Sequence, residues 1–577
     1  MFLAGPFNLE QHPILRDYFP RDEGILFGKG ADLNFDFKSD TFEDLRKQIA
    51  PGTAIDFLLY FNPEFNGIPI GIERASFPAI AVVSDWSVNL ESVLRLSHFF
   101  FRVFIDLAGA RLMKRLGYPN VDDILLYGYE PSAFHVMPEV EKKYDVTFVG
   151  NLSDIIHQKR SRFLKRLGLL GKKHRIKFFT GVHGPEYLRI LNESKITFNH
   201  SIRGEMNMRC YEALASGSLL FIEAENEQAK RHFTDKVHCV YYDDTNFEAL
   251  IGHYLENESE RESIVQHMLS IAGGFTTAEM NRQIVEKARQ QVALGFSAPP
   301  AAAWSETRKA RSRIFQALHT SEPPRSELFS QSIVSLDERG WEHPFFSGLY
   351  FLEYSDGLAS PVCEQWVERA LAQFRLSLDR LPSGRVARFN LAFSLLKLGK
   401  VDEAISEFQN AAQMPLDSEE KENEWLCYPL YYGSWRLEKE ERLRENLPLD
   451  NLFKARCLEG EGDAWSVAGN LPAAKACFEK ADALRLPSWE LLRKIGVLAE
   501  RLQQPAGAVK AFERALEARP FYIEVWRALP KLYFALGEKE KLSALCDQFV
   551  VLSEVFQPFE ALREEFEDWL SLSGKSG

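Results

Sequence analysis

The stretch Asn199–Gly217, NHSIRGEMNMRCYEALASG, decides how the middle of this chain is read. It follows an apolar run, Lys195–Asn199 (KITFN), with the length and composition of a buried strand. Beyond a polar turn, Met206, Cys210, Ala213, Leu214 and Gly217 recur with helical spacing, so the pattern predicts strand, turn and a helix packed closely through small residues. With a helix starting near Glu205, the side chains of Glu205, Arg209, Glu212 and Ser216 share the face opposite the apolar one. That face is placed to meet a ligand. Free N–H groups and the positive end of a helix dipole attract phosphate, and a carboxylate one or two turns along accepts sugar hydroxyls, a combination that suits a nucleotide sugar.

The alternation continues on both sides. Ala54–Asn62 (AIDFLLYFN), Ala79–Trp86 (AIAVVSDW), Phe99–Asp106 (FFFRVFID) and Asp122–Gly128 (DDILLYG) are β-rich runs separated by helical or polar stretches. A second series runs through Tyr144–Asn151 (YDVTFVGN), His174–Val182 (HRIKFFTGV), the motif strand, Ser218–Ala224 (SLLFIEA) and His238–Asp244 (HCVYYDD), then a helix near Gln283. This predicts two parallel, Rossmann-like halves, with the active site expected in a cleft at the carboxyl ends of their strands.

The series Asn207, Arg209, Tyr211, Glu212, Ala213, Ala215 and Gly217, N-x-R-x-[FY]-E-A-x-A-x-G, resembles the donor-site signature of the CgeB-like group of glycosyltransferases. Ser218–Ala224, Lys236–Asp244 and Phe275–Arg282 (FTTAEMNR) follow that group's order of strand, loop, strand and terminal helix, and Tyr144–Asn151 resembles its domain-opening strand. The resemblance spans residues 50–290 and is specific over 195–245. It implies the GT-B architecture, a nucleotide-diphosphate-sugar donor, and a leaving group stabilised by a helix dipole and basic side chains in place of a metal. Two positions depart from the pattern. Many enzymes of this architecture carry two glutamates eight positions apart, but Gly204 stands at the first position and the nearby acid is Glu205. Where relatives read H-T-x-x-x-R, this chain has Phe275 for the histidine and Met280 for the arginine.

At 577 residues the chain has room for three or four domains, and its 45% apolar and 26% charged residues are those of a water-soluble globular protein. A net charge of −13 argues against general affinity for nucleic acid or anionic membranes. Lys159–Lys177 is a local exception, with nine Lys or Arg and no acid, and reads either as a solvated helix face or as a contact for a diphosphate. The seven cysteines are odd in number and scattered, without metal or disulfide spacing, which fits a reducing cytoplasm. The N-terminal MFLAGPFNLEQHP lacks the basic and long apolar regions of a secretory signal, and no run approaches the length of a membrane span; a cytoplasmic protein is expected.

Beyond Gly295 the chain turns loop-like at Phe296–Trp304 (FSAPPAAAW) and again at Ser321–Ser326 (SEPPRS), around a basic helical piece, Ser305–His319. After that the pattern changes. Ala474, Phe478 and Ala481 return as Ala508, Phe512 and Ala515, each 34 residues on, which is the period of tetratricopeptide repeats. Ala404, Phe408, Ala411 and Pro415 form a further copy, Ala370, Phe374 and Pro382 a weaker one, and Asp417–Leu452 an irregular repeat or insertion. The expected class is α/β plus all-α: a first Rossmann-like, acceptor-side domain (1–139), a nucleotide-sugar-binding domain (140–292), a linker with one helix (293–345) and a repeat solenoid (346–577). A donor site that works without the repeats follows from that order.

Candidate ligand contacts follow from position. Glu212 is placed to accept nucleotide or sugar hydroxyls; Arg209 either pairs with the diphosphate or holds Glu212; Asn207 caps the helix, touches ligand, or both. Gly150, Asn151 and Gly181 lie where strands end, as close-approach or ordinary turn residues, and His200 and Arg203 lie in the loop before the motif helix, within reach of phosphate. Asp85, after AIAVV, is the candidate general base on an acceptor hydroxyl, or else a helix cap. His98 reads as structural and His135 as a weaker candidate. The adjacent acids Asp122–Asp123 and Asp243–Asp244 are not the D-x-D of metal-dependent transferases, so no metal and no cofactor is expected. The function expected is transfer of a hexosyl or N-acetylhexosaminyl group from a nucleotide-diphosphate donor to a hydroxyl, on a protein docked by the repeats. The competing readings are a repeat-based adaptor with a degenerate, nucleotide-binding domain, and a transferase of surface polysaccharide assembly.

Overall fold

The computed structural model describes the whole chain except residues 153–157, 320–325, 420, 422–425, 431–437, 440, 444, 448 and 574–577. The Pro-rich stretch at 321–325 and much of the irregular segment 417–452 therefore lie outside the described residues. Among the described residues eleven strands form two sheets. The first has the order β2-β1-β3-β4-β5-β6, with β1 Phe2–Asn8, β2 Gly24–Lys29, β3 Phe57–Phe61, β4 Ala79–Val82, β5 Arg102–Ile105 and β6 Val121–Asp123. The second has the order β11-β10-β9-β7-β8, with β7 Tyr144–Val149, β8 Ile176–Phe179, β9 Ser194–Phe198, β10 Leu219–Glu223 and β11 Val240–Tyr242. Its neighbours pair in parallel, as do β1 with β2 and β3, and β3 with β4. After Gly295 the described residues are helical or loop. The chain is thus α/β followed by all-α, as the patterns predict.

Two strands escape the sequence pattern. β1 is interrupted by Gly5–Pro6 and so does not read as a strand, yet it lies between β2 and β3 with Phe2 opposite Phe57 and Leu3 opposite Leu58. Pro6, which has no N–H to give the ladder, falls where the β1–β2 register shifts between Ala4 and Phe7. Conversely DDILLYG is mostly not strand, since pairing ends at Asp123.

The chain forms two compact units that cut across its linear order. The first comprises Met1–Pro13, Glu23–Val103 and Gly295–Ala515. Within it the expected linker helix, Glu306–His319, is core: Ile314 and Phe315 are fully buried, in one apolar cluster with the following helices. Its polar residues reach the first sheet's connections. Gln316 accepts from Ile68 N–H (2.9 Å), and Arg313 and Lys309 pair with the buried Glu73 at 3.0 and 3.3 Å. Further along, Lys439 pairs with Glu91 at 2.6 Å; burial alone would raise that carboxyl, but Lys439, Arg95 and His319 hold it down at about 2.

The second unit comprises Ile14–Asp22, Phe104–Leu294 and Leu516–Gly577. Here the last repeat helices join the second sheet. Helix Lys539–Val555 lies on helix Gln158–Leu169, so close that a Cβ added at Gly168 would stand 2.7 Å from Leu552 and one at Gly171 2.8 Å from Val555. Lys177 Nζ donates to Glu554 O (2.9 Å) and Arg162 Nε to Glu517 O (3.3 Å). The 34-residue period is visible as helix Leu471–Leu484 returning at Pro505–Ala518 and Trp489–Arg501 at Ile523–Leu536. The repeated aromatics fill spaces left by glycine: Gly462 faces the Phe478 ring and Gly496 the Phe512 ring.

Candidate functional site

The motif helix runs Met208–Ala215, one turn later than its spacing predicts. Glu205 is not on it. The Glu205 carboxylate instead accepts from the N–H groups of Ile202 (2.9 Å) and Arg203 (2.8 Å), closing the turn that leads into the helix. Asn207 is the N-cap residue, but its side chain makes no bond to the helix N–H groups and takes a weak contact from Cys210 Sγ at 3.7 Å. The face expected to be open is enclosed as well: Arg209, Glu212 and Ser216 are all buried. A helix of alanine, cysteine and glycine neighbours is thin enough for protein to close around both sides.

Arg209 is the hub of the site. Its Nε donates to Val149 O at the end of β7 (2.7 Å), its Nη1 to Asn199 Oδ1 after β9 (2.7 Å), and its guanidinium lies 4.4 Å from the Phe148 ring centre. Nη2 occupies the place of a side chain at Gly150, where an added Cβ would be 2.2 Å away. Gly150 is therefore needed for the arginine, one step removed from ligand. The sequence singles out Arg209 but not its companion. Arg160, also buried, lies over the same Phe148 ring at 5.2 Å and donates through Nη2 to Asn151 O. Burial and then the Arg209 charge push it down to about 9, and its Nε is buried without a hydrogen-bond partner among the described residues. Two guanidiniums sharing one ring at the carboxyl end of β7 form a strongly electropositive point. The other bases of the run Lys159–Lys177 are mostly occupied elsewhere: Lys159 with Glu225, Arg166 with Asp244 and Glu248, Arg175 with Asp145.

Glu212 is held by a residue the sequence reading missed. Tyr187, on helix Gly184–Asn192 after β8, donates its hydroxyl to Glu212 Oε2 at 2.7 Å. The second carboxylate oxygen has no hydrogen bond among the described residues. Burial raises the Glu212 pKa, opposed by the Tyr187 hydrogen bond and the Arg209 charge. Gly181, exposed with φ +71°, makes the turn before that helix and has open space around it.

His200 is packed as a core residue: its Nδ1 lies 2.9 Å from the Tyr242 hydroxyl, its ring 5.1 Å from that of Phe163, and burial with Lys159 and Arg160 pushes it down to about 3. It is a neutral imidazole. Arg203 lies partly buried in the loop, bonded through Nη1 to Ile202 O (3.3 Å). The same loop leans on Glu223, at the end of β10. Glu223 Oε1 takes the hydroxyl and N–H of Ser201 and Asn226 Nδ2, while Oε2 is buried without a hydrogen-bond partner among the described residues; burial pushes the carboxyl up to about 7.

The structure thus brings Gly150, Asn151, His200, Arg203, Asn207, Arg209 and Glu212 to the carboxyl ends of β7 and β9 and the helix that follows. Asp85 belongs to the first unit, after β4, where burial raises its carboxyl and it precedes a short 3-10 turn without capping it. The paired acids are taken by protein partners: Asp123 by Arg231 at 2.8 Å, Asp243 by Thr245, Asp244 by Arg166. Phe275, in the position of the relatives' histidine, joins an apolar cluster with Tyr211 and Phe233, and Met280 is buried. Among the described residues no three His, Cys, Asp or Glu side chains stand close enough to hold one metal ion. A cleft of about 380 Å³ in the second unit, lined in part by Asp123, Leu125, Arg231, Arg282 and Lys287, includes none of the candidate ligand contacts.

Residues 137–296, which carry this arrangement, match the family model Glyco_trans_1_2, described as glycosyl transferase-like. The segment is a glycosyltransferase-like domain. A comparison with curated proteins finds no match. Solved structures with partial similarity include Anabaena HepE in complex with UDP-glucose (14% identity, 50% of this chain and 99% of that one, TM-score 0.36). Others are the pneumococcal O-GlcNAc transferase GtfA with UDP and GlcNAc (12%, 41% and 57%, TM-score 0.31) and sucrose-phosphate synthase of Thermosynechococcus elongatus (9%, 42% and 75%, TM-score 0.32). The chain spans little more than half the length of GtfA. No helix among the described residues is long and apolar enough to cross a membrane.

Proposed function

We propose that the chain is a glycosyltransferase that takes a nucleotide-diphosphate sugar in the glycosyltransferase-like domain and passes the sugar to an acceptor hydroxyl. The observation that carries this is Glu212: a buried carboxylate aimed by Tyr187 through one oxygen, with no hydrogen bond to the other among the described residues, in the field of the Arg209 charge. A carboxylate so placed accepts hydroxyls, and Arg160 with the N–H groups at the start of the motif helix meets the diphosphate. In the transfer step the acceptor oxygen bonds to the anomeric carbon as the bond from that carbon to phosphate oxygen breaks. Asp85 takes the acceptor proton, and the negative charge gathering on the departing nucleoside diphosphate is met by Arg160 and the helix dipole. No metal is assigned to the step. The helical array is the proposed dock for a protein acceptor, the sugar is hexosyl or N-acetylhexosaminyl, and the protein is assigned to the cytoplasm.

The test is a panel of nucleotide sugars scored by thermal shift and by release of nucleoside diphosphate, since a ligand that binds only the folded state raises its stability with concentration. Stabilisation with release supports the transferase. Stabilisation without release in the presence of candidate acceptors makes the domain a nucleotide-binding adaptor.

A further inference from the structure

Outside the donor site, Glu64 is a carboxyl at 0% exposure just past β3. Asn62, in the left-handed region at φ 52°, turns the chain out of the strand, and Pro63 opens a single helical turn, Pro63–Asn66. That turn is secured from three sides: Asn62 N–H donates to Val82 O (2.8 Å), Asn66 Nδ2 to Phe61 O (2.9 Å), and Gln316 Nε2 to Pro63 O (3.4 Å). Glu64 is carried to the end of β4, where three donors converge on its Oε1: the N–H of Ser84 (2.7 Å), the hydroxyl of Ser84 (2.8 Å) and the N–H of Asp85 (3.0 Å). Its Oε2 is buried and has no hydrogen-bond partner among the described residues. Three donors on one buried oxygen hold the Glu64 acceptor and the Ser84–Asp85 backbone in one fixed geometry, shielded from exchange with water. What the arrangement secures is the backbone that presents Asp85, whose own carboxylate has no partner among the described residues.

We propose that Glu64 is a positioning residue for Asp85, fixing the Ser84–Asp85 backbone so that the Asp85 carboxylate is held ready to take the acceptor proton. This rests on the transferase reading above. The experiment is a double-mutant cycle on the full chain, with UDP-glucose, UDP-N-acetylglucosamine and GDP-mannose as probes and release of nucleoside diphosphate as the rate. Asp85→Asn and Glu64→Ala are each expected to lower kcat by about thirtyfold or more with donor KM unchanged, and the double variant to be no slower than Asp85→Asn within about threefold. Glu64→Gln, which keeps the carbonyl acceptor, should stay within about threefold of wild type. A purely structural role would instead lower activity by the same factor in both backgrounds. Multiplying losses, a Glu64→Ala variant at the wild-type rate, or a folded Glu64→Gln variant as slow as Glu64→Ala overturns the assignment. If Glu64→Ala does not fold, Glu64→Asp, shorter by one methylene, takes its place in the cycle with the same outcomes. Wild-type protein inert toward all three probes removes the transferase reading and this role with it, whereas wild-type turnover indifferent to Asp85→Asn removes only the role.

Discussion

At the scale of single residues, the site depends on carboxylates whose surroundings differ. Glu212→Ala removes a hydroxyl acceptor from a helix and is expected to weaken donor binding or turnover at least tenfold, about 1.4 kcal/mol, with the fold intact. Tyr187→Phe should cost less, about threefold, because it leaves the carboxylate and removes only the bond that aims it. Donor titration of both variants checks the order; equal affinity in wild type and Glu212→Ala would take Glu212 out of the site. Glu223 offers a test in pH. Its folded pKa, pushed up to about 7 from an ordinary 4.5, means the folded state holds a proton that the unfolded state has released. Its penalty is absent below pH 4.5, grows as pH rises to about 7, and is constant above, reaching at most about 3 kcal/mol. Glu223→Gln should flatten stability between those limits, a slope read from denaturant midpoints across pH. The sequence pointed to Glu212 and Arg209 because they sit in a motif at helical spacing. It offered Arg160 only as one of nine bases in a run that could face a diphosphate and was silent on Tyr187, because a base in a basic run and a tyrosine on an unremarkable helix acquire meaning only from what they touch.

At the scale of elements, close packing is set by glycine. Gly150→Ala would put a methyl group 2.2 Å from Arg209 Nη2 and so displace the guanidinium that joins β7 to Asn199. Donor affinity should fall with stability, by about 1–3 kcal/mol in the latter. Gly496→Ala places a methyl group 2.4 Å from the Phe512 ring and should cost a similar amount of stability while leaving donor affinity unchanged. Calorimetry and donor titration on the two variants separate these outcomes. The strand–turn–helix of the motif was legible in its hydrophobic period. The enclosure of its polar face was not, since period shows which residues share a face but not whether a second layer of protein covers it.

At the scale of the whole molecule, the sequence order predicts domains that follow one another, with a donor site independent of the repeats. The packing argues otherwise. A chain ending near Pro299 loses helix Glu306–His319 from the first unit's core and uncovers, in the second, the surface around Gly168 and Gly171 that Leu552 and Val555 cover. Such a truncation is expected to aggregate or to be cut rapidly by protease, and a soluble, cooperatively melting fragment that binds donor would contradict this. By itself the sequence determined the α/β class of the first half, the strand order along the second sheet's chain, the position of the motif helix to within a turn and the 34-residue helical period. Each of these is a local pattern of side chains with period 2, 3.6 or 34, written wherever it occurs. The tertiary structure alone decided that Phe2–Asn8 lies inside a sheet, that the basic helix after Gly295 is core, and that the last helices belong with the second sheet. Those outcomes depend on which apolar faces meet across hundreds of residues, and an apolar face carries no record of its partner.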